Sequence, residues 1–73
     1  MEHERIEMNP KVMLGKPVIR GTRITVEHVL RKLSSGMTVA QIIADQRRLT
    51  ADDILAAQAF AADHMASEEV VHG

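Results

Sequence analysis

The chain has 73 residues, of which 45% are apolar and 26% charged, with one aromatic residue, no cysteine and a formal net charge of −1. This length predicts a single domain, and the apolar content argues against disorder throughout. The lack of cysteine excludes disulfides, thiolate metal sites and a cysteine nucleophile, and it suits a cytoplasmic location. The longest apolar runs are four residues, against the roughly 20 that a bilayer needs, so we expect no membrane span.

The charges are unevenly distributed along the chain. Residues 9–36 carry six Lys or Arg against one Glu, which gives +5, whereas residues 51–73 carry five acids and no Lys or Arg, which gives −5. We interpret this asymmetry either as a surface for an anionic partner or as attraction between opposite halves of neighbouring protomers. Because alanine supplies much of the apolar content, a lone monomer is marginal, and we expect a homodimer or a partner protein to complete the core.

The first third of the chain lacks helical periodicity. Residues 1–8 are predicted to be a flexible N-terminal tail. Residues 9–24 contain two apolar runs on either side of Gly15-Lys16-Pro17, and this pattern predicts a short β-hairpin or extended arm in which 12–14 lies against 18–20. Since a two-stranded ribbon is hardly stable alone, the arm must pack on the helices or on a second chain.

A pattern typical of helix N-termini then occurs three times. A Thr follows an apolar residue and precedes an apolar pair by four positions, at Thr25, Thr38 and Thr50. Each hydroxyl can cap a free N–H of the first turn, and the flanking apolar residues can pack together as a hydrophobic staple. Gln41 completes a capping box with Thr38, and Asp53 nearly does so with Thr50. With the apolar periodicity, these signals predict helices over 26–34, 39–46 and about 51–66.

The third predicted helix is alanine-rich and apolar around most of its circumference. At about 100° per residue, its one narrow exposed stripe consists of Asp52, Ala56 and Asp63. The helix is therefore predicted to be enclosed by the core or shared with a partner, with a core or dimer seam at Gln58, Phe60 and Ala61. Gln58 is either a buried amide bonded to backbone, the commoner case, or a seam residue that faces its own copy.

The second and third helices, joined by Gln46-Arg47-Arg48, fit a helix-turn-helix unit. Leu49 suits the buried position of the turn, and Ile54 and Ala57 suit the inward face of the second helix of such a unit. The forward-facing positions of that helix carry no Arg, Lys, Asn or Gln, which favour base contacts, and the helix begins with two carboxylates. The fold is therefore expected to be of helix-turn-helix type without a third helix that reads DNA by itself.

The candidate binding residues are cations of the arm and of the helix link. We predict that a nucleic acid or an acidic protein is contacted by Lys11, Lys16, Arg20, Arg23, Arg47 and Arg48. The planar fork of Arg suits carboxylates as well as phosphates, so Arg20 and Arg23 also suit a cluster of Asp and Glu such as a metal-dependent nuclease site. The structural alternative is that Arg20 and Arg23 tie the arm to the acidic third helix.

We do not expect an enzyme. The four His lie at positions 3, 28, 64 and 72 without the spacing of metal ligands, and no glycine-rich phosphate loop occurs. Asp52 and Asp53 point about 100° apart on a helix, and their place at its N-terminus explains them as partners of the helix dipole. We therefore predict no catalytic residue, no cofactor and no metal.

The run Gly15-Lys16-Pro17-Val18-Ile19-Arg20-Gly21-Thr22-Arg23-Ile24-Thr25-Val26 resembles a widespread prokaryotic family of short proteins. That family is catalogued as a domain of unknown function and described as VapB-like antitoxins encoded beside a PIN-like ribonuclease toxin. The resemblance covers about residues 9–64 and continues through Gly36-Met37, Leu49-Thr50 and 59–63. The chain departs from the pattern at Leu14, where a first Gly is common, at Gln58, where an apolar residue is usual, and at Arg47-Arg48, where the link often carries Pro.

The resemblance implies a homeodomain-like or winged trihelical fold with an N-terminal β element. We therefore expect a mainly α protein with one domain over 9–66 and flexible tails over 1–8 and 67–73. The implied function is that of an antitoxin that binds and neutralises a PIN-like toxin, with regulation of its own promoter through DNA as a further role. The alternatives are a stand-alone helix-turn-helix transcriptional regulator and a non-catalytic dimeric interaction module.

Overall fold

The computed structural model describes residues 3–68 and contains a two-stranded antiparallel sheet followed by three helices. The strands are β1 (Ile6–Glu7) and β2 (Val18–Ile19), and the helices are α1 (Val26–Ser34), α2 (Val39–Asp45) and α3 (Ala51–Glu68). The predicted mainly α class with an N-terminal β-hairpin is confirmed, and the helices lie where the capping pattern predicts them. Within the described residues, no helix is long and apolar enough to cross a membrane.

All three helices begin at the predicted Thr. The Thr25 hydroxyl accepts a hydrogen bond from the His28 N–H at 2.9 Å, and Thr38 forms a full capping box with Gln41. Asp53 plays the part of Gln41 in α3, because the Thr50 N–H donates to its Oδ2 at 3.0 Å and the Asp53 N–H donates to the Thr50 hydroxyl at 3.2 Å. Local capping therefore explains why the chain breaks into helices at these points.

Helix α1 ends in a Schellman motif at Gly36. The Gly36 N–H donates to the Leu33 carbonyl at 3.0 Å, and the Met37 N–H donates to the Lys32 carbonyl at 3.2 Å. Gly36 has φ of +98°, which a residue with a Cβ rarely adopts. The motif turns the chain sharply, so that α2 starts only a few residues later.

The hairpin pairs different residues from those predicted. Strand β2 pairs with β1, with Ile6 opposite Ile19 and Glu7 opposite Val18, whereas 12–14 forms no strand. Residues Met13–Gly15 form a single 3-10 turn with positive φ at every residue, and such a backbone cannot join a sheet. The connection between the strands therefore spans residues 8–17, much longer than the predicted Gly15-Lys16-Pro17 turn.

The predicted N-terminal tail is therefore in part a structural element. Ile6 is 6% exposed and joins the core, because pairing with β2 turns its side chain onto the helices. The N-terminal half of the fold thus starts before residue 9. Residues 1–2 and 69–73 of the predicted tails lie outside the described residues, and α3 extends to Glu68.

The core lies between the hairpin and the three helices. Its fully buried side chains come from every part of the fold and include Val18, Val29, Ile42, Leu49, Ile54 and Ala57. Leu49, Ile54 and Ala57 are buried as predicted. Two polar residues, Thr25 and Asp53, are also buried, and both cap helices. Among the described residues, no buried side-chain nitrogen or oxygen lacks a hydrogen-bond partner.

Helix α3 exposes a different face from the one predicted. Ala56 is half-buried and packs against the core, and the exposed residues up to position 66 are Ala51, Asp52, Leu55, Gln58, Ala59, Ala62, His64, Met65 and Ala66. The buried amide predicted for Gln58 is therefore wrong. The physical reason is composition: alanines lie on both the buried and the exposed sides of α3, as Ala57 and Ala62 show, so the pattern does not mark the buried face.

Candidate partner-binding site

Two of the six predicted cations, Arg23 and Arg48, line one groove. The groove has a volume of about 470 Å³ and lies between the turn that follows β2 and the link between α2 and α3. Arg48 Nη1 lies 3.4 Å from the Gly21 carbonyl oxygen, which holds the two walls together. The remaining lining residues are Glu7, Val12, Gly21, Thr22, Ile24 and Gln46. The groove thus joins the arm and the helix link, the two regions where the sequence predicts binding residues.

Arg23 is presented by a rigid turn. The Thr22 hydroxyl donates to the Ile19 carbonyl at 2.7 Å and accepts from the Ile24 N–H at 2.9 Å. Gly21, with φ of +80°, allows the chain to reverse before this point. Arg23 itself is exposed, and within residues 3–68 its guanidinium forms no ion pair. The turn is therefore ordered while its cationic group is available to a partner.

Arg20 is engaged by the arm. Its Nε donates to the Glu4 carbonyl oxygen at 2.6 Å, and its Nη1 lies 3.9 Å from Glu7 Oε2. Arg20 therefore ties β2 to the segment before β1 and balances the carboxylate at the edge of the groove. The sequence offered a structural role in which Arg20 ties the arm to α3. The structure shows a tie of this kind, but it joins Arg20 to Glu4 and Glu7 and not to α3. With Glu7 paired in this way, Arg23 and Arg48 leave the groove with surplus positive charge.

The other three predicted cations lie outside the groove lining. Lys16 Nζ lies 3.6 Å from Glu27 Oε1 on α1. The hydrogen bond from Arg31 and the charge of Lys16 lower the pKa of Glu27 from its ordinary value. Lys11 and Arg47 are exposed and form no ion pair with the rest of the described chain. The structure therefore divides the six cations into a groove pair, a paired Arg20, a paired Lys16 and two free surface cations.

Arg5 is a further cation with close carboxylate contacts, and no sequence pattern predicts it. Its Nη1 donates to Asp53 Oδ1 at 3.0 Å, and its Nη2 lies 3.7 Å from Asp52 Oδ2. Burial raises the pKa of Asp53, but hydrogen bonds from the Thr50 N–H and from Arg5 outweigh it, so the pKa is lowered. Arg5 thus neutralises the acidic start of α3. No periodic pattern marks Arg5, because it precedes a strand of only two residues.

A second groove lies on the other side of α3 and is mainly apolar. It has a volume of about 430 Å³ between α1 and α3, and Leu30, Phe60, Ala61 and Met65 are among its lining residues. Phe60 and Ala61, two of the three residues of the predicted seam, are half-buried and pack against the core. The Phe60 ring meets the His3 ring edge-on at 5.3 Å between centroids, and His3 Nε2 lies 2.9 Å from Asp63 Oδ2. These contacts fasten the N-terminus to α3.

No group of three or more His, Cys, Asp or Glu in the described part of the chain is arranged to hold a metal ion. The groove offers charge-assisted hydrogen bonding by the guanidinium groups of Arg23 and Arg48. Arg23 and Arg48 suit planar, bidentate acceptors such as carboxylates or phosphates.

Comparison with known proteins identifies the family of this chain. A search of curated proteins finds no match. The crystal structure of a DUF433 member protein from Anabaena variabilis ATCC 29413 is similar, with a TM-score of 0.79 at 28% sequence identity. The similarity covers 86% of this chain and 62% of that chain, so this chain spans less than two thirds of that protein. The family model described as "Protein of unknown function (DUF433)" matches residues 6–61, and the chain therefore belongs to the DUF433 family.

Proposed function

We propose that the chain is an antitoxin that binds and neutralises a PIN-like ribonuclease through the groove lined by Arg23 and Arg48. The observation that carries the proposal is the pair of guanidinium groups in a preformed groove, neither of which forms an ion pair among residues 3–68. A ribonuclease of this class presents a cluster of carboxylates, and guanidinium groups bind carboxylates bidentately. The function supported is therefore non-catalytic inhibition by binding.

Arg23 is the sharper test residue, because its removal breaks no hydrogen bond or ion pair within the described chain. We expect Arg23→Ala to weaken binding to the ribonuclease-like protein encoded beside this chain by about tenfold or more, as for an interface hot spot. Arg31→Ala is the matched control, since Arg31 is exposed on α1 and does not line the groove. Equal affinity of the two variants, measured by calorimetry and by relief of ribonuclease inhibition, contradicts the groove contact.

DNA binding is a second candidate function. It is favoured by Arg47, which is exposed in the link between α2 and α3 and has no ion pair within residues 3–68. The burial of Leu49 and Ile54 on either side of the helix junction is compatible with a helix-turn-helix unit. The start of α3, with Asp52 and Asp53, offers phosphates no cation of its own, so contacts from the link must carry the binding.

A mobility-shift assay on the chain's own promoter at low salt tests this second function. The expected result is a complex that weakens steeply with salt and weakens further in Arg47→Ala. Because Arg47 does not line the groove, the same variant is expected to inhibit the ribonuclease as well as wild type does. Absence of any shift at low salt removes DNA binding and leaves the antitoxin proposal in place.

We further propose that the exposed face of α3 pairs two copies of the chain. Its exposed residues recur at the 3.5-residue spacing of a coiled-coil seam: Ala51, Leu55, Gln58, Ala62 and Met65. Gln58 lies mid-face, where an amide is able both to donate to and to accept from its own copy.

Sedimentation measurements at micromolar concentration test the pairing. Leu55→Glu places a charge in the middle of the proposed seam and is expected to give a monomer with unchanged helical content. Ala40→Glu, on the exposed surface of α2, is the control and is expected to leave the dimer intact. A wild-type monomer at this concentration contradicts the proposal.

A further inference from the structure

The connection between the strands, which we call the basic loop (residues 8–17), exposes three large apolar side chains. Met8 is 62% exposed, Met13 44% and Leu14 93%. The loop also carries Lys11 and Lys16 and contains no acidic residue. Single exposed apolar residues are ordinary, but three on one short connection form a patch that is typical of an interaction site.

The backbone of this patch is left-handed. Met13 has φ of +48°, Leu14 has φ of +58° and ψ of +32°, and Gly15 has φ of +82°. An L-residue with a Cβ is disfavoured in this region, and Leu has no short polar group to offset the cost as Asn and Asp do. Leu14 is therefore held in a conformation for which glycine is the physical default.

Hydrogen bonds within the loop hold this conformation. The Val12 N–H donates to the Asn9 carbonyl at 2.8 Å, and the Gly15 N–H donates to the Val12 carbonyl at 3.0 Å. The Asn9 side chain accepts from the Lys11 N–H at 2.9 Å. The loop therefore presents Leu14 at a fixed place, and little ordering is needed when a partner binds.

The Leu14 side chain contributes little to the fold. It is almost fully exposed, so it buries no apolar surface, and its backbone conformation is strained. A strained residue that the surrounding structure holds in place is a reason to look for a function outside the fold. We therefore expect the Leu14 side chain to contribute apolar burial when another molecule binds over it.

We propose that the basic loop is a second contact with the protein partner, in which Leu14 enters an apolar pocket rimmed by carboxylates. The inference rests on the proposed antitoxin function for the nature of that partner and extends the interface beyond the Arg23 groove. A rim of carboxylates is argued from charge: Lys11 has no ion pair within residues 3–68, and the side chain of Lys16, although it lies 3.6 Å from Glu27, is 57% exposed. A fixed turn suits a shaped protein pocket better than a fluid lipid surface.

Two variants of Leu14 separate binding from folding. Leu14→Gly removes the side chain and relieves the backbone, so the melting temperature is expected to rise by about 4 °C while affinity for the ribonuclease-like protein falls about tenfold or more. Leu14→Ala removes most of the side chain but keeps the strain, so the same loss of affinity is expected with little change in melting temperature. Val39→Ala, at an exposed apolar residue of α2, is the control and is expected to leave affinity unchanged.

The outcomes distinguish a partner contact at the basic loop from a partner contact at the Arg23 groove. If Leu14→Gly binds the ribonuclease-like protein as tightly as wild type while Arg23→Ala does not, the loop contact is overturned and the groove contact stands. If wild type does not bind that protein at all, the proposed function fails and the loop proposal fails with it. A Leu14→Gly defect that appears only with anionic vesicles or only with duplex DNA also overturns the loop proposal, because it assigns the side chain to another partner.

Discussion

The ion pair between Arg5 and Asp53 predicts a specific dependence of stability on charge. Asp53 is 7% exposed, and its carboxylate accepts hydrogen bonds from the Thr50 N–H and from Arg5 Nη1, each at 3.0 Å. Asp53→Asn keeps an oxygen for Thr50 and nearly the same shape, but it removes the charge that Arg5 faces. We therefore expect the variant to fold and to be less stable than wild type.

The magnitude follows from the contacts. A hydrogen bond to a charged group contributes about 1.5–3 kcal/mol, and the half-exposed Arg5 side chain requires a discount for solvent screening. We expect Asp53→Asn to lower the free energy of unfolding by about 1–2 kcal/mol at pH 7. With a urea m-value of about 1 kcal/mol/M for a domain of this size, the midpoint of unfolding falls by about 1–2 M.

The pH dependence has a defined sign. The hydrogen bonds lower the folded-state pKa of Asp53, so the unfolded chain binds the proton more tightly than the folded one. The contribution of the ionised Asp53 to the free energy of unfolding is therefore fully present above the unfolded-state pKa of about 3.9. It is lost as pH falls through the folded-state pKa. The difference in free energy of unfolding between wild type and Asp53→Asn should narrow as pH falls below the unfolded-state pKa of about 3.9.

Urea unfolding followed by far-ultraviolet circular dichroism at several pH values measures this effect. Asp52→Asn is the matched control, because the Asp52 side chain is 72% exposed and lies 3.7 Å from Arg5. The free energy of unfolding of Asp52→Asn is expected to stay within about 0.5 kcal/mol of the wild-type value at every pH. Equal midpoints for wild type and Asp53→Asn across the pH range would refute the role given to this ion pair.

Three further substitutions test the fold by thermal unfolding at one protein concentration. Gly36→Ala meets no atom within 4 Å of the new Cβ, so only the positive φ opposes it, and we expect a loss of about 1 kcal/mol. Ile54→Ala opens a cavity at a fully buried position and is expected to lose about 2–5 kcal/mol, which approaches the stability of the whole domain. Thr38→Ala breaks the α2 capping box and is expected to lose about 1 kcal/mol. Changes of similar size in all three contradict this ranking.

The helices were predictable because their signals are local. A capping Thr, its partner three residues later and an apolar pair on the first turns all lie within one short window of sequence. The sharp end of α1 was equally predictable, since Gly36 supplies a left-handed conformation at little cost. These elements required no knowledge of the rest of the fold.

The hairpin was only partly predictable, because its pairing is decided by tertiary contacts. The apolar run 12–14 looks like a strand, but Ile6 takes the place next to Ile19 and reaches the core. A two-residue strand shows no alternation, so neither Ile6 nor the neighbouring Arg5 stands out in the sequence. The exposed face of α3 was misplaced because alanines lie on both its buried and its exposed sides, so only tertiary packing shows which of them face the core.

The candidate site was predictable as a set of cations but not as a geometry. The sequence identifies Arg20, Arg23 and Arg48 without showing which of them is already engaged. The backbone carbonyl of Glu4 occupies Arg20, and such a contact depends on β1 lying beside β2. The convergence of Arg23 with Arg48 likewise depends on how the turn after β2 packs against the link before α3.

The most direct test of the antitoxin account is capture of partners from host cells with the full chain as bait. Wild type and Arg23→Ala are compared, with mass spectrometry for proteins and a nucleic-acid stain on the eluate. The account predicts that wild type retains a ribonuclease-like protein encoded next to it and that Arg23→Ala retains much less. Recovery of DNA without such a protein, or equal recovery of the protein by both baits, contradicts it.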